Sequence, residues 1–129
     1  MTLQSYRDLK VWQKAMDLVA ESYEISGMLP KHELFGLISQ IRRAAVSIPA
    51  NIAEGYGRQH RREYLNFLSM AAGSLKELET HLLIAIRLKY VAESQLSTAL
   101  TFSDEVGRML TALTRTLRSS AAHADRDLT

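Results

Sequence analysis

Apolar residues recur at steps of three and four positions along almost the whole chain, the spacing that one face of an α-helix requires. Turn signals divide this pattern: Gly27 and Pro30 follow the first segment, and Gly55 and Gly57 end the second. Helices are therefore predicted over about residues 8–26, 32–56, 59–90 and 93–119. Short links favour antiparallel neighbours, so the expected fold is all-α, an antiparallel up-down-up-down four-helix bundle in residues 1–119.

The second predicted helix contains a proline, Pro49. Proline removes one backbone donor and its ring clashes with the preceding turn, which bends a helix. The apolar spacing continues on both sides of Pro49, so a kink is predicted there rather than a break. At the end of the chain, residues 120–129 are small and polar, and they are expected to form a flexible C-terminal tail.

Several predicted helices carry two neighbouring apolar rows. In the first helix, one row includes Trp12, Met16 and Tyr23, and the other includes Ala15 and Leu18. Two rows side by side are typical of a wide core face, but one of them can also pack against another subunit. The pattern alone leaves both interpretations open.

Composition narrows the chemistry. The chain has no cysteine, which excludes disulfides, zinc–thiolate sites and thiol catalysis. Its four histidines lack metal-ligand spacing, and no nucleophile or phosphate-loop motif occurs, so we expect no metal, no cofactor and no enzymatic activity. No apolar run is long enough to span a membrane, and no targeting segment is visible, so a cytoplasmic protein without a membrane partner is expected.

Polar residues form a stripe beside the apolar rows of the second and third helices. Buried charges are costly unless they are paired, so facing stripes would place Arg43 against Glu77. Three interpretations stay open: a solvated helix face, a structural polar seam, or an active site. The stripe consists of Arg43, Ser47, Asn51 and Glu54 on the second helix and Ser74, Glu77 and His81 on the third.

Positive charge is concentrated in the middle of the chain. The net charge is +2, yet residues 58–90 hold six basic and three acidic side chains. Basic residues at a helix start, beside Tyr56 and Tyr64, can contact phosphates, although a solvated loop has the same composition. The candidate nucleic-acid-binding residues are Arg58, His60, Arg61, Arg62, Arg87 and Lys89, with weaker candidates at Arg108, Arg115 and Arg118.

Four segments carry a family resemblance: residues 6–15 (YRDLKVWQKA), 40–55 (QIRRAAVSIPANIAEG), 63–65 (EYL) and 73–80 (GSLKELET). In them the chain resembles the four-helix-bundle proteins encoded by intervening sequences in bacterial 23S ribosomal RNA genes. This resemblance implies an antiparallel four-helix bundle that assembles into a ring-like homopentamer. The family is related to an accessory subunit of diversity-generating retroelements, which resembles a basic barrel that engages a reverse transcriptase and nucleic acid. The family supplies no catalytic residues.

Residues and resemblance together lead to one expectation and one alternative. The expectation is a non-enzymatic, homo-oligomeric binding or scaffold protein, pentameric by the resemblance, that binds RNA or DNA through basic residues repeated around a ring. The alternative is an adaptor that holds another protein and has no role with nucleic acid.

Overall fold

The computed structural model describes the backbone of residues 3–128 and the side chains of residues 3–120. It contains four α-helices: α1 (Lys10–Ser26), α2 (Leu37–Tyr56), α3 (Arg61–Arg87) and α4 (Ser97–Leu128). Single 3-10 turns precede three of them, at Tyr6–Asp8, Lys31–Glu33 and Glu93–Leu96. This part of the chain has no strand. The prediction of an all-α, four-helix fold is confirmed.

Each helix packs against two others in a closed cycle, α1–α2–α3–α4–α1, and the α2–α3 contact is the most extensive. Between α2 and α3, Ser47 is bonded to Ser74 and the ring of Tyr56 meets that of Tyr64. Later residues of α2 therefore meet earlier residues of α3, which makes this pair antiparallel. The α3–α4 pair is also antiparallel, because Ser103 bonds Glu79 and Gly107 lies beside Leu75.

The core is built from one apolar row of each helix. On α1 it is the row of Ala15 and Leu18 that is buried, whereas Met16 and Tyr23 of the other row are exposed. The second row of α1 is thus not a wide core face over its whole length. Burial of apolar surface is the main stabilising contribution, about 25 cal/mol per Å². The largest fully buried side chains are Leu18, Ile25, Ile41, Ile48, Ile52, Leu68, Leu75, Leu78, Leu82, Leu96 and Val106.

The observed helices begin later or end earlier than predicted where a polar contact or a backbone angle sets the helix end. α2 begins at Leu37 because the preceding turn lets Glu33 Oε1 accept from Leu37 N at 3.1 Å, which satisfies a free helix donor. α3 ends at Arg87, just before Lys89 adopts the left-handed conformation with φ of 64°. The predicted end of the last helix at residue 119 is wrong, since α4 continues to Leu128. The flexibility predicted for residues 120–129 stays a prediction, because most of these side chains lie outside the described part of the chain.

Pro49 is buried inside α2, and the helix continues past it to Tyr56. The proline therefore does not break the helix, and the kink stays a prediction. Gly55, six residues further on, is also buried. A Cβ at this position would lie 2.8 Å from Phe67 Cβ and 3.0 Å from Tyr64 Cδ1. Only glycine allows α2 and α3 to approach this closely next to their turn.

Candidate nucleic-acid interface

The turn from α2 to α3 carries the predicted basic cluster. Arg58, His60, Arg61 and Arg62 are all exposed. His60 is the N-cap of α3, with extended backbone and no side-chain hydrogen bond to the helix. Arg61 and Arg62 begin the helix, where free backbone donors and the helix dipole add positive potential. The sequence thus places an anion-attracting helix start beside arginine side chains.

Arg58 differs from its neighbours because it is already held within the chain. Its Nη2 lies 2.7 Å from Glu54 Oε1 and its Nη1 lies 3.7 Å from Glu63 Oε2. Its guanidinium carbon also lies 4.9 Å from the centre of the Phe67 ring. Two carboxylates offset its charge, so we expect it to shape the turn more than to bind a phosphate. Arg61 and Arg62 form no ion pair within residues 3–120.

Arg87 and Lys89 lie at the opposite end of α3 from this cluster. Because α3 rises 1.5 Å per residue, Arg61 and Arg87 are separated by about 39 Å along the helix. The turns at the far end contain Lys31 as well as Glu33 and Glu93, and the two carboxylates offset part of the positive charge there. The six predicted residues therefore do not form one site within a single chain: four lie at one end and two at the other.

Two further arginines reach the basic end from α4. Ser103 of α4 bonds Glu79 of α3, and the two helices are antiparallel, so later residues of α4 lie beside earlier residues of α3. Arg115 and Arg118 accordingly line the same groove as Leu65 of α3. The sequence analysis named both as weaker candidates, and the α3–α4 register places them at this end. Ser26, the last residue of α1, accepts a 2.9 Å hydrogen bond at Oγ from Arg42 Nε, near the start of α2. The two helices are therefore antiparallel, and the start of α1 lies at the basic end together with the end of α2.

The basic end of the bundle is the end at which α1 and α3 begin and α2 ends. Within residues 3–120 it holds seven basic side chains and three acidic ones, in addition to His60. The basic side chains are Arg7, Lys10, Arg58, Arg61, Arg62, Arg115 and Arg118, and the acidic ones are Asp8, Glu54 and Glu63.

Three of the seven residues of the predicted polar seam form a bonded network between α2 and α3. The hydroxyls of Ser47 and Ser74 are 2.7 Å apart. Asn51 Nδ2 donates to Ser47 O at 2.8 Å and to Ser47 Oγ at 3.0 Å. All three side chains are half-buried. Because these groups bond to one another, they join the two helices rather than present a reactive group.

The other members of the seam do not join this network. Glu54 binds Arg58, and Glu77 Oε1 lies 3.5 Å from His81 Nε2. The proposed pair of Arg43 with Glu77 is wrong, since no such contact occurs. Arg43 is exposed and the Glu77 side chain is 60% exposed, so both extend into solvent and not across the helix contact.

His81 is the one buried member of this group, with 8% of its surface exposed. Neither of its ring nitrogens has a hydrogen-bond partner within residues 3–120, because the contact with Glu77 has ion-pair distance but lacks hydrogen-bond geometry. His81 therefore belongs to the row of α3 that packs into the core, between Leu78 and Leu82.

A polar cluster that the sequence did not reveal closes the far end of the bundle. Tyr90 donates to Glu33 Oε2 at 2.8 Å, and the His32 ring lies edge-on to that of Tyr90. The backbone N–H of Leu37, then the Tyr90 hydroxyl, lower the pKa of Glu33. The same bond to Glu33 raises the pKa of Tyr90. The position of Glu33 before a helix start was a usable signal for the cap, but nothing in the sequence links it to Tyr90.

Among the described residues, every helix is too short or too polar to span a membrane.

The helix cycle, the buried core and the bonded seam together define an all-α protein of the four-helix-bundle class. The chain belongs to the 23S rRNA-intervening sequence protein family, whose model matches residues 7–112.

A solved structure supports the same assignment. The chain is similar to a protein of unknown function from the S23 ribosomal protein family of Bacteroides thetaiotaomicron VPI-5482, with 26% identity and a TM-score of 0.75. The match covers 81% of this chain and 95% of that one. No curated protein matches the chain.

Proposed function

We propose that this protein is a non-enzymatic, homo-oligomeric scaffold, pentameric as the family resemblance implies, that binds RNA or DNA through the basic end of its bundle. The observation that carries the proposal is the gathering of seven basic side chains against three acidic ones at that end. Clustered positive charge attracts the phosphate backbone of either nucleic acid and releases its counterions.

Arg61, Arg62, Arg115 and Arg118 are the proposed phosphate ligands. None of them forms an ion pair within residues 3–120, so their charge is not offset by a neighbouring carboxylate. Tyr56 and Tyr64 are half-buried and meet edge to face, with ring centres 6.2 Å apart. Rings held in this way have little free face for stacking on bases. Binding should therefore depend on phosphates, with little discrimination between sequences.

Oligomerisation would multiply this charge. In a ring whose axis runs parallel to the bundles, the basic ends of all copies lie on the same rim. Several copies of the basic end on one rim form a positive ring that a flexible strand can follow. The proposal that the protein is not an enzyme is supported by the polar seam, whose hydroxyl and amide groups bond to one another.

A titration of labelled single-stranded RNA and of duplex DNA, followed by fluorescence anisotropy, tests the proposal. Raising salt from about 50 to about 200 mM should weaken binding by roughly a hundredfold if about four phosphates are neutralised in the complex, and by more if several copies contact the same strand. Alanine at Arg61, Arg62, Arg115 and Arg118 should abolish most of this salt dependence. For a matched comparison, alanine at Arg61 and Arg62 is set against alanine at Arg87 and Lys89, because each pair of changes removes two charges, from opposite ends.

Two results would contradict the proposal. One is the absence of binding at low salt, and the other is binding whose strength does not change with salt. Equal losses in the two sets of variants would show that net charge matters and that the basic end does not.

The adaptor alternative is favoured by one observation. Phe35 is 94% exposed at the far end of the bundle, and Leu34 beside it is also exposed. Exposed aromatic side chains are enriched in protein interfaces. If this protein is an adaptor, a protein should co-purify with it and be lost in Phe35→Ala. Co-purification of nucleic acid without any protein would contradict the adaptor.

A further inference from the structure

We infer that the outer face of α2 and α3 packs against a second copy of this chain, with Arg43 of one copy paired to Glu77 of the next. The inference rests on the proposed homo-oligomer and adds the surface that forms it. This α2–α3 face consists of Arg43, Val46 and Ala50 on α2 and Met70, Gly73, Glu77 and Ile84 on α3.

The face exposes large apolar side chains along its length. Val46 is 43% exposed, Met70 is 51% exposed and Ile84 is 38% exposed. Between them lie Ala50 and Gly73, which are exposed and small. A Cβ added at Gly73 would meet nothing within 4 Å. Apolar side chains around small residues let another helix approach closely and remove apolar surface from water.

Arg43 and Glu77 are opposite charges at nearly the same height on this face. The Ser47–Ser74 hydrogen bond fixes the register of the two antiparallel helices. Arg43 precedes Ser47 by four residues and Glu77 follows Ser74 by three, so both lie about 5 Å from that bond in the same direction. Nevertheless they form no pair within the chain. Arg43 has neither an ion pair nor a hydrogen bond to a side chain within residues 3–120.

A second copy supplies the missing partner. Rotation about an axis parallel to the bundle leaves every residue at its own height. When α2 of one copy lies beside α3 of the next, Arg43 therefore lies opposite Glu77. Val46 and Ala50 then lie at about the same height as Met70 and Gly73. The face is complementary to itself in charge, which favours a second copy over an unrelated protein.

The outer face of α1 lacks this property. Asp17, Glu21 and Glu24 are acidic, and the two cations beside them already have partners within the chain. Lys14 Nζ lies 3.2 Å from Glu105 Oε2, and the guanidinium carbon of Arg42 lies 4.9 Å from the centre of the Tyr23 ring. Between Met16 and Tyr23 this face therefore offers no free cation to the acidic side chains of a second copy. Apolar exposure occurs on both faces, so it is the arrangement of charge that distinguishes the α2–α3 face.

Light scattering across a dilution series of the full chain tests the inference. Arg43→Glu should raise the dissociation constant of self-association about tenfold or more, and Glu77→Arg should do the same. The double variant, with both charges exchanged, should recover most of the wild-type association. Lys31→Glu is the matched control, because it makes the same charge reversal in the turn before α2 and should leave association unchanged.

A second arm tests the apolar part of the face. Met70→Gln should weaken association, whereas Met16→Gln, at a similarly exposed methionine on α1, should not. Far-ultraviolet circular dichroism checks that each variant folds, which is expected because both side chains lie on the surface.

The outcomes separate the inference from the proposed function. Wild-type chain that associates, but is unaffected by Arg43→Glu, Glu77→Arg and Met70→Gln, overturns the inference and leaves the oligomer intact. Weakening by both charge reversals without recovery in the double variant overturns the Arg43–Glu77 pair. Wild-type chain that stays monomeric at all concentrations overturns the proposed oligomer and the inference with it.

Discussion

The hydroxyl of Tyr90 donates a 2.8 Å hydrogen bond to Oε2 of Glu33, across 57 residues of sequence. The other oxygen of the same carboxylate accepts from the backbone N–H of Leu37. One side chain thus caps α2 and ties the turn before it to the turn after α3. This end of the bundle is closed by a single acidic group, so its stability should depend on the ionisation of that group.

Replacement of Glu33 by Gln should reveal this dependence. The pKa of Glu33 is lowered from 4.5, first by the bond from Leu37 and next by the bond from Tyr90. Its contribution to stability is therefore complete above pH 4.5 and is lost as pH falls through the lowered pKa. Urea unfolding between about pH 3 and pH 7 should show wild type more stable than Glu33→Gln near neutrality, with the difference vanishing in acid.

The Tyr90→Phe variant is the control for the cause of this shift. Removal of the hydroxyl takes away one of the two bonds that stabilise the carboxylate, so acid unfolding should begin at a higher pH than in wild type. In wild type, the raised pKa of Tyr90 means that its contribution is present below pH 10 and lost as pH rises through the raised value. If the free energy of unfolding of wild type and of Glu33→Gln changed identically with pH, the ionised Glu33 carboxylate would not be what stabilises this end of the bundle.

The glycines at 55 and 73 should respond oppositely to alanine. At Gly55 a Cβ meets Phe67 Cβ at 2.8 Å, and neither atom can move without its backbone, so Gly55→Ala should lower the unfolding free energy by about 2 kcal/mol. At Gly73 the space is open, so Gly73→Ala should raise it by about 0.5–1 kcal/mol through helix propensity. Thermal unfolding at low protein concentration measures both changes, and equal signs would contradict the packing described.

The serine network between α2 and α3 should show energetic coupling. Ser74→Ala removes one bond to Ser47, while Ser47→Ala removes the bonds to both Ser74 and Asn51. Each change should lower the free energy of unfolding by about 1 kcal/mol. The double variant should lower it by less than the sum of the two, because the two serines share a bond. A double-mutant cycle from urea unfolding measures the coupling. Strictly additive costs would show that the hydroxyl contact contributes nothing.

Two β-branched residues of α2, two positions apart, test the assignment of the core face. Ile48 is fully buried, whereas Val46 is exposed. Ile48→Ala should destabilise the chain by about 2–5 kcal/mol, because it removes buried apolar atoms and leaves a cavity. Val46→Ala should change the unfolding free energy of the monomer by less than about 0.5 kcal/mol. Similar costs at the two positions would contradict the helix orientation.

The sequence was sufficient for the features that depend on local spacing. The four helices, the end of α1 near Gly27 and the end of α2 at Tyr56 follow from apolar periodicity and glycine positions. The same spacing placed Ser47 and Asn51 on one polar stripe of α2 and Ser74 on another of α3, although it left open whether these stripes form a solvated face, a structural seam or an active site.

Features that depend on the direction of side chains between helices could not be predicted. The pairing of Arg43 with Glu77 seemed necessary only if both stripes were buried, and the structure leaves these two side chains in solvent. The approach of Arg115 to the basic end depends on the α3–α4 register, which no local signal sets. The link from Glu33 to Tyr90 joins two distant turns for the same reason.

Assembly of the protein and its binding of nucleic acid through the basic end are tested together by the mass of the complex. Multi-angle light scattering should give five times the 14.5 kDa chain mass for the protein alone. With a short RNA, the mass should rise at about 50 mM salt and return towards that of the protein at about 200 mM. A species of one chain mass, or an assembly whose mass never changes with RNA, would contradict the account.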